Sequence, residues 1–261
     1  MHAIDIRQLV FRYAGKAPLF DGFSWQVEPG DAWSIIGPSG SGKSTLLYII
    51  AGLRRPSSGS VSVEGKPVPR PRARTGLILQ DYGLLPWATV RDNVALVMRM
   101  GRFYRRKRVA RDEIRPYPRE DLTEEMVDRW LTRLGIAELR DQYPGQLSGG
   151  QRQRTAIART LMQQPTLLLM DEPFSSLDAV TREDLQALVA SLRREAQLTT
   201  VVVTHSIEEA VFLGQRVLVL GRPPIVRAEV IENAEAGSLS FRESDTFLER
   251  CAVLRAALMA S

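Results

Sequence analysis

Gly37-Pro38-Ser39-Gly40-Ser41-Gly42-Lys43-Ser44 fits the spacing G-x-x-x-x-G-K-[ST]. An apolar run, Ala32 to Ile36, precedes it and a stretch of helical composition, Lys43 to Leu53, follows. Strand, glycine loop and helix in that order form the context in which this pattern cradles a phosphate. Glycines let the backbone wrap an anion so that successive N–H groups converge, and the helix N-terminus adds a favourable dipole. Lys43 is then expected to reach the β- and γ-phosphates and Thr45 the α-phosphate. Ser44 would offer its hydroxyl to Mg²⁺, a cation that needs only one or two protein oxygens. The bland alternative is a glycine-rich turn without a ligand.

A second constellation is Leu167-Leu168-Leu169-Met170-Asp171-Glu172, an apolar strand ending in adjacent carboxylates. Successive strand residues point to opposite faces, so the pair can divide its duties. Asp171 would join the Mg²⁺ shell, and Glu172 would orient and deprotonate an attacking water. Alone, such a run is also an ordinary strand-to-loop transition; beside a phosphate loop the catalytic reading is favoured.

The third is Leu147-Ser148-Gly149-Gly150-Gln151, followed by Arg152-Gln153-Arg154 and a helix through Leu161. On these residues the sequence resembles the nucleotide-binding subunits of ATP-binding-cassette (ABC) transporters, and the resemblance covers essentially the whole chain. It implies that Tyr13 stacks on adenine, that Gln80 links Mg²⁺ and the water to a membrane subunit, and that His205 contacts the γ-phosphate. Ser175-Ser176-Leu177-Asp178 matches the loop that communicates between paired subunits. The implied ATP site comprises Tyr13 with Gly37, Pro38, Ser39, Gly40, Ser41, Gly42, Lys43, Ser44 and Thr45. The implied catalytic set is Lys43, Gln80, Glu172 and His205, with Ser44, Gln80 and Asp171 toward Mg²⁺. Ser148, Gly149, Gly150, Gln151 and Asp178 would face the nucleotide of a partner subunit, so that two ATP molecules are sandwiched between two chains. Without the resemblance, Tyr13 reads as a surface tyrosine, Gln80 as a polar turn residue and His205 as a structural histidine.

Asp81 to Val94 follows Gln80 directly, and its Leu-Leu-Pro-Trp-x-Thr-Val-x-x-Asn-Val pattern resembles importers of nitrate, sulfonate, taurine or bicarbonate. The expected partners are a second ATP-binding subunit, most simply another copy of the chain, and permease subunits contacted near Gln80 to Asn93. A solute-binding protein takes part indirectly. An exporter or lipid-handling cassette is the nearest rival. A cassette ATPase acting on nucleic acid is less favoured, because those enzymes carry long coiled-coil insertions that do not fit here. No nucleic acid partner is therefore expected.

These residues need elements to hold them. Strands are expected at Ile4 to Phe11, Phe23 to Val27, Ala32 to Ile36, Ser60 to Val63, Gly76 to Leu79, Thr166 to Met170, Thr200 to Thr204, Arg216 to Leu220 and Ile225 to Val230. Helices are expected at Lys43 to Leu53, Val90 to Val109, Glu124 to Leu134, Thr181 to Ala196 and Ile207 to Leu213, with a short one in the tail. The resulting fold class is α/β: a P-loop NTPase core with a mixed, largely parallel sheet, an antiparallel β subdomain and an inserted helical subdomain. One domain is expected over 1–261, with its core at 1–86 and 163–236, the helical subdomain at about 87–162 and a tail at 237–261.

The bulk numbers agree with such a body. The chain has 261 residues, 44% hydrophobic and 25% charged, as in ordinary globular domains. Its longest apolar runs fall far short of the ~20 residues that cross a bilayer, and Met1 to Val10 lacks the segments of a secretory signal. A cytoplasmic protein, peripheral on the inner face of the membrane, is expected. Cys251 is the single cysteine, and no structural metal is expected. Much of the net charge of +5 lies in Arg105, Arg106, Lys107, Arg108, Arg111, Arg115 and Arg119. This stretch, within Gly101 to Leu122, reads either as a solvated helix face or as a strip drawn to anionic lipid.

Overall fold

A computed structural model of the chain describes residues 1–100 and 122–260. The basic stretch from Arg105 to Arg119 lies outside the described residues.

The strands form two sheets. β1 (Ile4–Arg12), β2 (Pro18–Val27), β4 (Ser58–Val63) and β5 (Lys66–Pro67) make an antiparallel sheet in the order β2-β1-β4-β5. β3 (Ala32–Ile36), β6 (Thr75–Ile78), β7 (Leu167–Asp171), β8 (Thr199–Val203), β9 (Arg216–Val219) and β10 (Glu229–Glu232) make the second, in the order β10-β9-β3-β8-β7-β6. All its pairings are parallel except β10 with β9. The registers Ile35↔Val203 and Asp171↔Val203 bring the ends of β3, β7 and β8 level.

Period-two geometry explains why the central strands are apolar throughout. Leu167, Leu169, Val201, Val203 and Ile35 face one core, shared with the antiparallel sheet and with Leu46, Leu47, Ile49 and Ile50 of helix α1 (Lys43–Ile50). Leu168, Met170, Val202 and Ile36 face the other, built from the remaining helices. Those are α2 (Val90–Val94), α3 (Glu124–Arg133), α4 (Gly149–Leu161), α5 (Ala179–Ala196), α6 (Ile207–Leu213), α7 (Leu239–Arg242) and α8 (Asp245–Ala260). Polar residues open many of them: Thr89, Thr123, Ser148, Asp178 and Ser206 each accept a backbone N–H at a helix start. Among the described residues no helix is long and apolar enough to cross a membrane.

Several expectations shift. The helix expected over Val90 to Val109 is divided within its described part by a turn at Ala95. The strand expected from Ile225 forms only at Glu229. Ile225 is drawn instead to the other sheet, where it accepts from Asp21 N (2.9 Å) and donates to Leu19 O (2.9 Å). The tail carries 16 residues of helix in α8 rather than one short helix.

Candidate active site

β3 is central and all five of its residues are buried, so the chain leaving Ile36 enters the crevice at the carboxyl ends of parallel strands. Gly37 tolerates no side chain, because a Cβ would lie 2.3 Å from the carbonyl oxygen of Leu220. Gly42 takes φ +94°, a conformation open to glycine, and opens α1, whose first amides have no partner within the helix. Lys43 Nζ donates to the carbonyls of Gly37 (2.9 Å) and Pro38 (3.0 Å), spanning the loop. Burial lowers its pKa, opposed by the attraction of Glu172 and Asp171.

Ser44 Oγ donates to Asp171 Oδ1 at 2.8 Å, and Asp171, the last residue of β7, is only 5% exposed. One turn along α1 the Tyr48 hydroxyl donates to Oδ2, also at 2.8 Å. Hydroxyls from one helix face therefore occupy both carboxylate oxygens. Burial first, then the hydrogen bond and charge of Asp171, push the Tyr48 phenol up to about 12. Among the described residues no three His, Cys, Asp or Glu side chains cluster to hold a metal on their own.

Glu172 does not continue the strand, which corrects the expectation that strand alternation separates the two carboxylates. Its φ is +46°, and its amide donates to Val203 O at 2.9 Å. A left-handed residue after the strand end divides the pair, a conformation that is strained for a side chain and gathers at functional sites. Two side chains converge on its Oε2: His205 Nδ1 at 3.2 Å and Gln80 Nε2 at 3.5 Å. Residues following the ends of β6, β7 and β8 thus meet at one atom. Tyr13 joins the loop from β1, with its hydroxyl 2.8 Å from Thr45 Oγ1 and the Arg54 guanidinium 5.0 Å above its ring.

Ser148, Gly149, Gly150, Gln151 and Asp178 form a separate group. Ser148 Oγ accepts from Gln151 N (3.3 Å) while Gln151 Oε1 accepts from Ser148 N (2.8 Å), a reciprocal cap on α4. Asp178 accepts from Thr181 N (3.0 Å) at the start of α5, which lowers its pKa. Among the described residues no hydrogen bond joins this group to residues 37–45.

The sequence reading passed over Tyr48, although it stands four residues beyond Ser44 on the same helical face. It also passed over the role of Asn93, which is fully buried in α2. Asn93 Oδ1 accepts from Leu85 N (2.8 Å), and its Nδ2 reaches the carbonyls of Leu85 (3.1 Å), Ala88 (3.0 Å) and Thr89 (3.0 Å).

A family profile described as "ABC transporter" matches residues 20–175, a span that holds the phosphate loop, the signature segment and the carboxylate pair. The chain belongs to the ABC transporter family. Relatives within it include the taurine import ATP-binding protein of Chromobacterium violaceum, 40% identical over 86% of this chain and 80% of that one. A nitrate import ATP-binding protein of Synechococcus elongatus is 39% identical over 79% of this chain and 71% of that one. Among solved structures, cbiO1 from Clostridium perfringens, part of the ABC transporter complex cbiONQ, matches with a TM-score of 0.74 and 25% identity, covering 98% of this chain and 95% of that one. A dimeric ATP-binding cassette in a post-hydrolysis state, bound to ADP and Pi, matches with a TM-score of 0.71 and 27% identity over 88% of this chain and 98% of that one. As an ATP-binding subunit of the ABC transporter family the chain hydrolyses ATP, and its α/β P-loop fold is that of these neighbours.

Proposed function

We propose that the chain powers import of a small solute of the nitrate, sulfonate, taurine or bicarbonate kind. In this reading two copies work beneath membrane permease subunits, peripheral on the cytoplasmic face, and a solute-binding protein delivers the cargo. The observation that carries the ATPase chemistry is the shared oxygen, Glu172 Oε2, reached by both Gln80 and His205 beside the Ser44–Asp171 pair.

In the proposed mechanism the adenine lies against Tyr13 and the loop from Gly37 to Thr45 wraps the phosphates. Lys43 exchanges its two carbonyl partners for β- and γ-phosphate oxygens. Ser44 Oγ and Asp171 Oδ1, hard oxygen donors 2.8 Å apart, fit Mg²⁺ held mainly by water and phosphate. An Mg²⁺ ion held by these two oxygens would supply positive charge against the phosphate oxygens. Glu172 accepts the proton of the attacking water, Gln80 holds the carboxylate and water in line, and His205 turns from Glu172 to the γ-phosphate. Ser148, Gly149, Gly150, Gln151 and Asp178 of one copy close over the nucleotide of the other. Their separation from the loop of their own chain supports this trans arrangement, as does the dimeric state of a structural neighbour. ATP-driven closure and opening of the pair is then the stroke.

The import reading draws support from the taurine and nitrate importers among the relatives. The loop after Gln80 supports the permease contact: Asn93 fixes its backbone while the Trp87 side chain stands 74% exposed.

The test is Mg²⁺-dependent ATPase activity across a protein concentration series, wild type beside Glu172→Gln and Ser148→Arg. The expected result is activity rising more than linearly with concentration and nearly abolished by either change, by about a hundredfold or more for the general base. Turnover independent of concentration that survives Ser148→Arg would remove the trans site and the transport-motor reading with it.

A further inference from the structure

The two oxygens of Asp171 are not equivalent. Oδ1 accepts from Ser44, whose hydroxyl is a prospective metal ligand and leaves that bond when it turns to a cation. Oδ2 accepts from Tyr48, a side chain with no part in the phosphate loop. Asp171 is nearly inaccessible at the end of β7, in register with β8, so its carboxylate does not swing away from either partner. Tyr48 is fixed in turn by α1, where its carbonyl accepts from Leu53 N (2.9 Å) and Arg54 N (3.2 Å).

We propose that Tyr48, by capping Oδ2, keeps Asp171 a one-oxygen ligand and so sets the preference of the site for Mg²⁺ over Ca²⁺. Mg²⁺ is small and octahedral and asks a carboxylate for one oxygen or for a bond through water. Ca²⁺ takes more ligands and often chelates a carboxylate through both oxygens. Chelation by Asp171 competes for Oδ2 with the phenol–carboxylate bond, which is charge-assisted and lies on a carboxylate that is only 5% exposed. Mg²⁺ binding leaves that bond intact. The cost falls on the larger ion alone.

The proposal rests on the ATPase reading, and its test separates the two. Mn²⁺ and ATP are added to the full chain carrying Glu172→Gln to prevent turnover, and the Mn²⁺ electron paramagnetic resonance spectrum reports occupancy as Mg²⁺ or Ca²⁺ competes. Adding Tyr48→Phe, which keeps the ring, is expected to shift the ratio of the two competition constants about five- to tenfold toward Ca²⁺ while metal-free ATP binding is retained. Ser44→Ala with Tyr48 intact weakens both metals and leaves the ratio unchanged. An unaltered ratio in Tyr48→Phe overturns the proposal, as does an equal shift in Ser44→Ala. Loss of metal-free ATP binding in Tyr48→Phe would make the tyrosine a structural residue and overturn it as well. If the protein with Tyr48 and Ser44 intact binds no Mn²⁺ with ATP, the ATPase reading itself falls, and the proposal with it.

Discussion

Glu209 lies in α6, four residues beyond His205 in the chain, and is 4% exposed, a costly place for a charge. Among the described residues its Oε1 has no hydrogen-bond partner. Burial pushes its carboxyl up to about 7, with Glu172 adding to the rise and the Thr204 side chain, Arg182 and Arg242 pulling against it. A folded protein that holds a proton up to about 7, against 4.5 for the free side chain, binds more protons than the unfolded chain between those values. Stability must then fall as pH rises through that window, the reverse of a salt-bridged carboxylate. Glu209→Gln keeps the shape and removes the titration. From about pH 5 to about pH 8 the wild-type melting temperature is expected to decline relative to that of the variant. Parallel melting curves across the range would mean that Glu209 is charged when folded and that its neighbours stabilise the anion. The distinction matters to the site, since a neutral Glu209 spares Glu172 a second negative charge.

At the scale of elements, the contact between the start of α4 and α5 decides how the signature segment is presented. A Cβ on Gly150 would lie 2.5 Å from Thr181 Cγ2. Gly150→Ala is therefore expected to destabilise the chain by about 1–3 kcal/mol through overpacking, more than the up to ~1 kcal/mol that alanine returns in helix propensity. Thr181→Ser removes that methyl while keeping the backbone N–H that Asp178 accepts. Urea unfolding of the four combinations is expected to show the double variant recovering most of the loss; strictly additive changes would place the strain elsewhere. The sequence announced much of this architecture because the signals are local. Lys43 and Ser44 follow their glycines at a fixed spacing, and strands buried on both faces read as apolar runs. What it hid depends on distant chain. The left-handed turn at Glu172 is fastened to Val203 of β8, and Ile225 is claimed by β2. The Tyr48–Asp171 bond joins residues 123 positions apart, so no window along the sequence contains both.

At the scale of the whole molecule, the proposed function has the two residue groups that one chain keeps apart meet across a dimer, and this makes complementation a sharper test than either variant alone. A composite site takes Glu172 from one copy and Ser148 from the other. Homodimers of Glu172→Gln lack the base in both sites, and homodimers of Ser148→Arg lack the closing surface in both. A mixed dimer is different: one of its sites combines the intact Glu172 of one chain with the intact Ser148 of the other, while the second site carries both defects. Random association of equal amounts places half the dimers in the mixed state, each with one working site of two. Mixing two inactive proteins is therefore expected to restore about a quarter of wild-type turnover if the sites fire independently. The recovery should grow with total protein concentration as dimers form and vanish on dilution. A mixture no more active than its parts would mean either that hydrolysis is completed within one chain or that both sites must be intact to fire. A double variant carrying both changes on one chain, mixed with wild type, decides between these. Its mixed dimers hold two half-defective sites, so activity confined to wild-type homodimers fits a composite site, whereas turnover in proportion to wild-type chains fits a self-sufficient one.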